Sequence, residues 1–223
     1  MQHGTDFYND VLKLVIFDLD GVITNTAHYH YLAWKKIADE LGITFDNQLN
    51  EQLKGLSRYD SLDVILDANH LKLSQYQKED LIAYKNKIYQ LLLTELSEKD
   101  ILEGIYPFIL RLKQDGKKVA VGSSSRNAQL ILEKLNMTSL FDTIVTGCDV
   151  EKSKPHPDIF LQCAYRLHIN PKACLVIEDA LSGIEAATRA NMTSIGIGSE
   201  HLNQATIRLA RTKELSIDII KTI

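Results

Sequence analysis

The sequence predicts an α/β protein: a Rossmann-like parallel sheet with helices on both faces, plus an inserted all-helical cap. Three observations point there. Residues 14–17 read L-V-I-F, an apolar run without polar alternation, which suits a strand buried on both faces. From residue 104 onward such runs alternate with helical patterns, as in strands joined by crossover helices. Between them, residues 25–96 show helical periodicity and almost no strand signal. The expected division is a core of residues 1–24 and 97–223 and a cap of residues 25–96.

In chain order, residues 1–10 read as a short polar extension, partly mobile. The first strand spans roughly residues 13–17. Trp34, Ile37, Ala38 and Leu41 repeat at helical spacing, and Gly42 follows as a C-terminal stop. Leu62, Ile65 and Leu66 indicate a shorter helix. Ser74 with Gln77 three residues later reads as a capping box. It would open a long amphipathic helix carrying Leu81, Tyr84, Ile88, Leu91 and Leu92. Pro107 suits the first turn of a helix ending near Gly116. Strands are expected at residues 118–122, 143–146 and 174–177, with helices at about 127–135, 157–167 and 182–190. The last strand is expected at 194–197. There is no internal repeat and no low-complexity segment.

The bulk properties exclude several classes. The 223 residues are 45% hydrophobic and 24% charged, ordinary for a globular protein. A net charge of −4 without a basic stripe argues against nucleic-acid binding. Cys148, Cys163 and Cys174 lack metal-site spacing, and so few fit buried thiols in a reducing compartment. Residues 1–13 have no apolar segment of signal-peptide length, and nothing approaches the ~18 apolar residues of a membrane span. A cytoplasmic enzyme is the expectation.

Four strand ends carry useful chemistry. Aspartate is disfavoured inside strands, so Asp18 and Asp20 belong to the loop leaving the first. Ser123 ends the second. Lys154 lies in the K-S-K-P loop after the third, and Glu178 and Asp179 end the fourth. Ligands bind at the carboxyl ends of open parallel sheets, where these groups can converge. Clustered carboxylates repel and resist ionisation. A divalent cation relieves that repulsion, and oxygen-only ligands favour magnesium. A lysine and a serine hydroxyl beside them would hold a phosphoryl group. Singly, Ser123 reads as a turn residue, Lys154 as a solvated loop lysine, and Glu178-Asp179 as charge at a helix N-terminus. The ordered set is what favours chemistry.

The run F-D-L-D-G-V-I-T at residues 17–24 resembles the first motif of the haloacid dehalogenase superfamily. Ser123, Lys154 and Glu178-Asp179 match its other three in order and spacing. The resemblance covers the chain beyond the first ten residues. It implies a helical C1 cap and Mg2+-dependent phosphoryl transfer. Asp18 would be the nucleophile that becomes an aspartyl phosphate, and Asp20 the general acid and base. Ser123 and Lys154 would bind the transferring phosphate. The metal would be held by Asp18, Asp20 through its backbone carbonyl, Glu178 and Asp179.

T-N-T-A-H-Y-H at residues 24–30, Trp34, L-K-G-L-S-R at 53–58 with Ser61, S-S-S-R-N at 123–127 and S-K-P at 153–155 narrow the resemblance. They are similar to the superfamily's mutases of β-glucose phosphates. That implies interconversion of β-D-glucose 1-phosphate and glucose 6-phosphate through β-glucose 1,6-bisphosphate. Such an enzyme holds a second, idle phosphate. Arg58 offers a suitable fork of donors, with Ser124, Ser125, Arg126 and Asn127 on the core side. Lys54, Gly55, Ser57 and Ser61 would line the sugar. Thr26 and His30 would place Asp20 and couple it to cap closure, which expels water. Lys85 would contact the sugar or the network around Asp20. Trp34 sits in this set too, though its spacing reads more as core. Two residues depart from the pattern: Asn25 where aspartate is frequent, and Arg126 where lysine is. The implied partners are small sugar phosphates, taken up by a monomer. Two rivals remain. A sugar-phosphate phosphatase would need no second phosphate grip, and a non-catalytic binding protein would need no complete catalytic set.

Overall fold

A computed structural model describes residues 12–53, 56–198 and 202–221. The extension expected over residues 1–10 lies outside the described residues. Six strands, β1 (Leu14–Phe17), β2 (Lys118–Gly122), β3 (Thr143–Val145), β4 (Cys174–Glu178), β5 (Thr193–Ile197) and β6 (Ile207–Leu209), form one parallel sheet in the order β3-β2-β1-β4-β5-β6. The helices among the described residues are α1 (Ala27–Leu41), α2 (Asn47–Glu51), α3 (Arg58–Ala68), α4 (Gln75–Leu92), α5 (Ile105–Gln114), α6 (Ala128–Lys134), α7 (Asp158–Arg166), α8 (Leu181–Arg189) and α9 (Ile217–Ile220). None is long and apolar enough to cross a membrane.

β1 lies in the middle because both of its faces are apolar. Val15 and Phe17 point to one side, under α5 and α6, while Leu14 and Ile16 point to the other, under α7 and α8. All four are fully buried, each worth roughly 1.5–3 kcal/mol against exposure. The Phe17 ring meets Phe108 and Phe141 edge-on, with centroids 6.1 and 6.3 Å away. β1 pairs with β2 on one side and β4 on the other. Its carboxyl end is thus where the strand order reverses and a crevice opens.

Helices α1 to α4 build a separate apolar centre from Trp34, Ile37, Leu62, Ile65 and Ile82, with Leu66. Gly42 ends α1 in the left-handed region at φ +67°. The Ser74–Gln77 capping box opens α4. The two chain crossings between helical block and sheet lie side by side. Leu102 N–H donates to Ile23 O at 2.9 Å, and the Thr24 hydroxyl to Asp100 O at 2.8 Å.

The structure differs from expectation in four places. Short α2 and α9 bury only Leu49 and Ile220, too little for a periodic signal. β6 follows the strand expected to be last; its three residues are no more than half-buried and carry an arginine, as an edge strand tolerates. The buried face of α4 is Ile82, Lys85 and Tyr89, whereas Tyr84 and Leu91 of the expected stripe are 39% and 71% exposed. Lys85 and Tyr89 find polar partners inside, so their face turns inward, and a count of apolar residues misses that. Finally, Cys163 and Cys174 are buried free thiols, but Cys148 is exposed. Burial pushes Cys174 up to about 12 and Cys163 upward as well.

Candidate active site

Asp18 follows β1 directly, and its N–H donates to Ile177 O of β4 at 2.9 Å. The loop then turns at Gly21, whose φ is +84°. A Cβ there would lie 2.1 Å from Asp179 Oδ2, so only glycine lets Asp179 close onto this loop. Asp18, Glu178 and Asp179 thereby present oxygen atoms within 4.8 Å of one another.

Lys154 comes up beneath them. Its Nζ donates to Asp18 Oδ1 at 2.5 Å and to Glu178 Oε1 at 2.8 Å, and lies 4.7 Å from the Phe160 ring centre. Glu178 Oε2 accepts from the N–H groups of Asp179 and Ala180 at 2.6 and 2.8 Å. Burial pushes the Asp18 carboxyl up to about 7, even against the adjacent lysine. Burial alone would lower Lys154, but the Asp18 and Glu178 carboxylates hold it well above its ordinary value.

Asp20 has a different environment. Its Oδ1 accepts from Thr26 N–H at 3.2 Å and from the Thr26 hydroxyl, while Oδ2 lies 3.9 Å from His30 Nε2. Burial raises Asp20, and the Thr26 bonds oppose the rise. His30 Nδ1 is 2.8 Å from Lys85 Nζ. When Lys85 is an ammonium it only donates, so Nδ1 then accepts and Nε2 carries the ring proton towards Asp20. Burial, then Lys85 and Arg58, hold His30 well below its ordinary value. Burial and then Arg58 bring Lys85 down to about 7. The Trp34 and Tyr89 rings, 4.9 and 4.8 Å from its Nζ, offset part of that cost.

A cavity of about 340 Å³ separates the sheet edge from the helical block. Asp18, Asp20, Ser123 and Asp179 wall one side, while Arg58 and Arg126 come in from helical block and core. Burial and then Arg126 hold Arg58 below its ordinary value, as expected of two cations facing space an anion would fill. Arg126 stacks over the Tyr59 ring of α3 at 5.8 Å. Ser123 Oγ accepts from Ser125 N–H, and Ser125 Oγ from Asn127 N–H, both at 3.2 Å. The Asn127 amide joins the two layers, accepting from Gln90 at 3.0 Å and donating to Asn86 at 2.9 Å. The helical block is therefore closed over the crevice.

Most residues singled out from the sequence line this one cavity: Asp18, Asp20, His30, Trp34, Arg58, Ser61, Lys85, Asp179 and residues 123–127. Thr26, Lys154 and Glu178 stand behind it and hold those in front. Trp34 does both, being 3% exposed and part of the helical core. The Ser57 hydroxyl caps α3, accepting from Asp60 N–H at 3.2 Å and donating to its carboxylate at 2.6 Å. It lines a neighbouring cavity instead. Lys54 and Gly55 lie outside the described residues. Sequence reasoning missed Tyr89, Asn86 and Gln90. The available signal was spacing: Tyr89 lies four residues on from Lys85, and Gln90 four on from Asn86, so the four form two adjacent rows along the helix.

Residues 12–191 match the family of haloacid dehalogenase-like hydrolases. The chain belongs to that family. It is 42% identical to the β-phosphoglucomutase of Bacillus subtilis over 94% of both chains. The crystal structure of β-phosphoglucomutase from Clostridium difficile superposes with a TM-score of 0.93 at 41% identity, covering 95% of this chain and 96% of that one. The phosphorylated carbohydrates phosphatase of Thermotoga maritima is 26% identical over 95% of this chain and 100% of its own.

Proposed function

We propose that the protein interconverts β-D-glucose 1-phosphate and glucose 6-phosphate through β-glucose 1,6-bisphosphate, the activity of a β-phosphoglucomutase. One observation carries the reading beyond the family's phosphoryl chemistry. The cavity has an acidic, lysine-backed nucleophile on one side and a pair of arginines, Arg58 and Arg126, that also face it. That arrangement suits a substrate with two phosphates. The 42% identity to a β-phosphoglucomutase supports it.

In this reading Asp18 attacks phosphorus, a P–O bond to Asp18 forms, and the bond to the sugar oxygen breaks. Asp20 gives that oxygen its proton, and later takes one from the hydroxyl that attacks the aspartyl phosphate. Ser123 and Lys154 hold the transferring oxygens. Arg58, with Ser124, Ser125, Arg126 and Asn127, holds the idle phosphate. Ser61, Lys85 and Trp34 form the sugar's surroundings on the side of residues 25–96, which act as a cap over a core of residues 1–24 and 97–223. Thr26 and His30 orient Asp20. The all-oxygen cluster of Asp18, Glu178 and Asp179 fits Mg2+. Asp18, Glu178, Asp179 and the Asp20 carbonyl would hold the ion. A bound cation would screen carboxylate and phosphate charge from each other. Free thiols fit a cytoplasmic setting. Sedimentation would check action as a monomer.

The test is phosphorus NMR on β-glucose 1-phosphate, Mg2+ and a trace of β-glucose 1,6-bisphosphate. Glucose 6-phosphate with little inorganic phosphate is expected. Inorganic phosphate as the main product would replace the mutase with a sugar-phosphate phosphatase.

A further inference from the structure

Tyr89 is fully buried in the last turn of α4, and nothing in the chemistry above uses it. Its hydroxyl lies 2.8 Å from Thr26 Oγ1, which also contacts Asp20 Oδ1. Its ring stacks on His30, with centroids 4.1 Å apart at 28°, and lies under the Lys85 ammonium. One side chain thus touches each of the three residues grouped around Asp20.

The directions of these hydrogen bonds are fixed by a donor count. Thr26 has one hydroxyl proton. Among the described residues, Thr26 Oγ1 is the only hydrogen-bond partner of the Tyr89 hydroxyl. If Thr26 gave its proton to Tyr89, the Tyr89 proton would be buried without an acceptor, an expensive arrangement. Tyr89 therefore donates to Thr26, and Thr26 donates to Asp20 Oδ1. With Thr26 N–H also on it, Oδ1 is held as an acceptor from two sides. Oδ2, which faces His30 Nε2 at 3.9 Å, is left for the substrate.

We propose that Tyr89 is a positioning residue: its hydroxyl orients Thr26 so that Asp20 Oδ1 stays an acceptor and Oδ2 is the oxygen that exchanges a proton with the sugar. The inference rests on the role of Asp20 proposed above. Without the Tyr89 hydroxyl, Thr26 is free to rotate its proton away. The carboxyl can then turn its own proton inward to Thr26, where no substrate reaches it.

Tyr89→Phe keeps both ring contacts and removes only the donor. Measured on the Mg2+-loaded enzyme, mutase kcat is expected to fall roughly 3- to 10-fold, the worth of one hydrogen bond, with KM little changed. Thr26→Val probes the same chain from its other end. Because Tyr89 acts through Thr26, adding Tyr89→Phe to Thr26→Val should cost little further rate. Acetyl phosphate supplies a control, since acetate leaves without needing a proton. Its first-turnover release should fall less than mutase kcat in both variants. Full mutase kcat in Tyr89→Phe, additive losses in the double variant, or equal losses in both assays would each overturn the assignment. Wild-type enzyme that releases acetate but does not isomerise the sugar phosphate would instead refute the proposed function, and the role of Tyr89 with it.

Discussion

Lys154 offers a test of how the acidic site is held together. It is 1% exposed and donates to two carboxylates at once. Lys154→Met keeps most of the buried stem and deletes the charge. A surface ion pair would be worth about 0–1 kcal/mol. Removing one partner of a buried pair costs about 3–5 kcal/mol, because the charge left behind has no counter-ion. Here two carboxylates are left, so the upper part of that range is expected at pH 8 without divalent ions. The loss should depend on pH. Asp18 already sits at about 7 rather than 3.8, and losing Lys154 moves it higher still. A carboxyl raised on folding favours the folded state below its unfolded value and withdraws that favour as pH rises through its folded value. The deficit of the variant should therefore widen from pH 5 to pH 8. Magnesium should narrow it if the uncompensated carboxylates of the variant bind the ion more tightly, by about 1.4 kcal/mol for each tenfold lower Kd at saturating ion. Urea unfolding of both proteins at the two pH values, with and without Mg2+, measures each quantity. A loss below about 1 kcal/mol, or one larger at pH 5 than at pH 8, would refute the view that Lys154 is the counter-ion of this site.

Three further outcomes can be checked on the same preparation. Asp20→Asn should slow mutase turnover by roughly 10²–10⁴-fold, the usual worth of a general acid and base, and a full-rate variant would remove Asp20 from that role. Arg58→Ala should weaken binding of β-glucose 1,6-bisphosphate, measured by calorimetry, more than it slows acetate release from acetyl phosphate; equal effects would count against an idle-phosphate grip at Arg58. Gly183→Ala, in the first turn of α8, would place a Cβ 1.7 Å from Glu178 Oε1. Displacing that carboxylate should cost about 1–3 kcal/mol in urea unfolding and turnover with it, and a variant as stable and active as the parent would contradict the packing.

The sheet was legible because its strands announce themselves. L-V-I-F, K-V-A-V-G and C-L-V-I-E are apolar runs that end at Asp18, Ser123 and Glu178, and those ends meet at one crevice. A pattern of buried strands with polar ends is a statement about position as well as type, so the edge that gathers these polar groups came with the fold. What the sequence concealed is the inner face of α4. Leu81, Ile88 and Leu92 are apolar, and a hydrophobic count centres the stripe on them. The structure centres it on Ile82, Lys85 and Tyr89. A lysine is buried there only because His30 accepts from it at 2.8 Å and two aromatic rings lie beneath it. All of those partners but Tyr89 come from α1, more than fifty residues away in sequence. Burial of a charged residue is decided by partners that periodicity does not see. A helix whose most buried positions include a lysine at about 7 and a tyrosine bonded to a threonine is folded at a cost in desolvation. Leucines in the same places would pack without that cost. The face is polar where it meets Asp20, the residue proposed above to exchange a proton with the sugar.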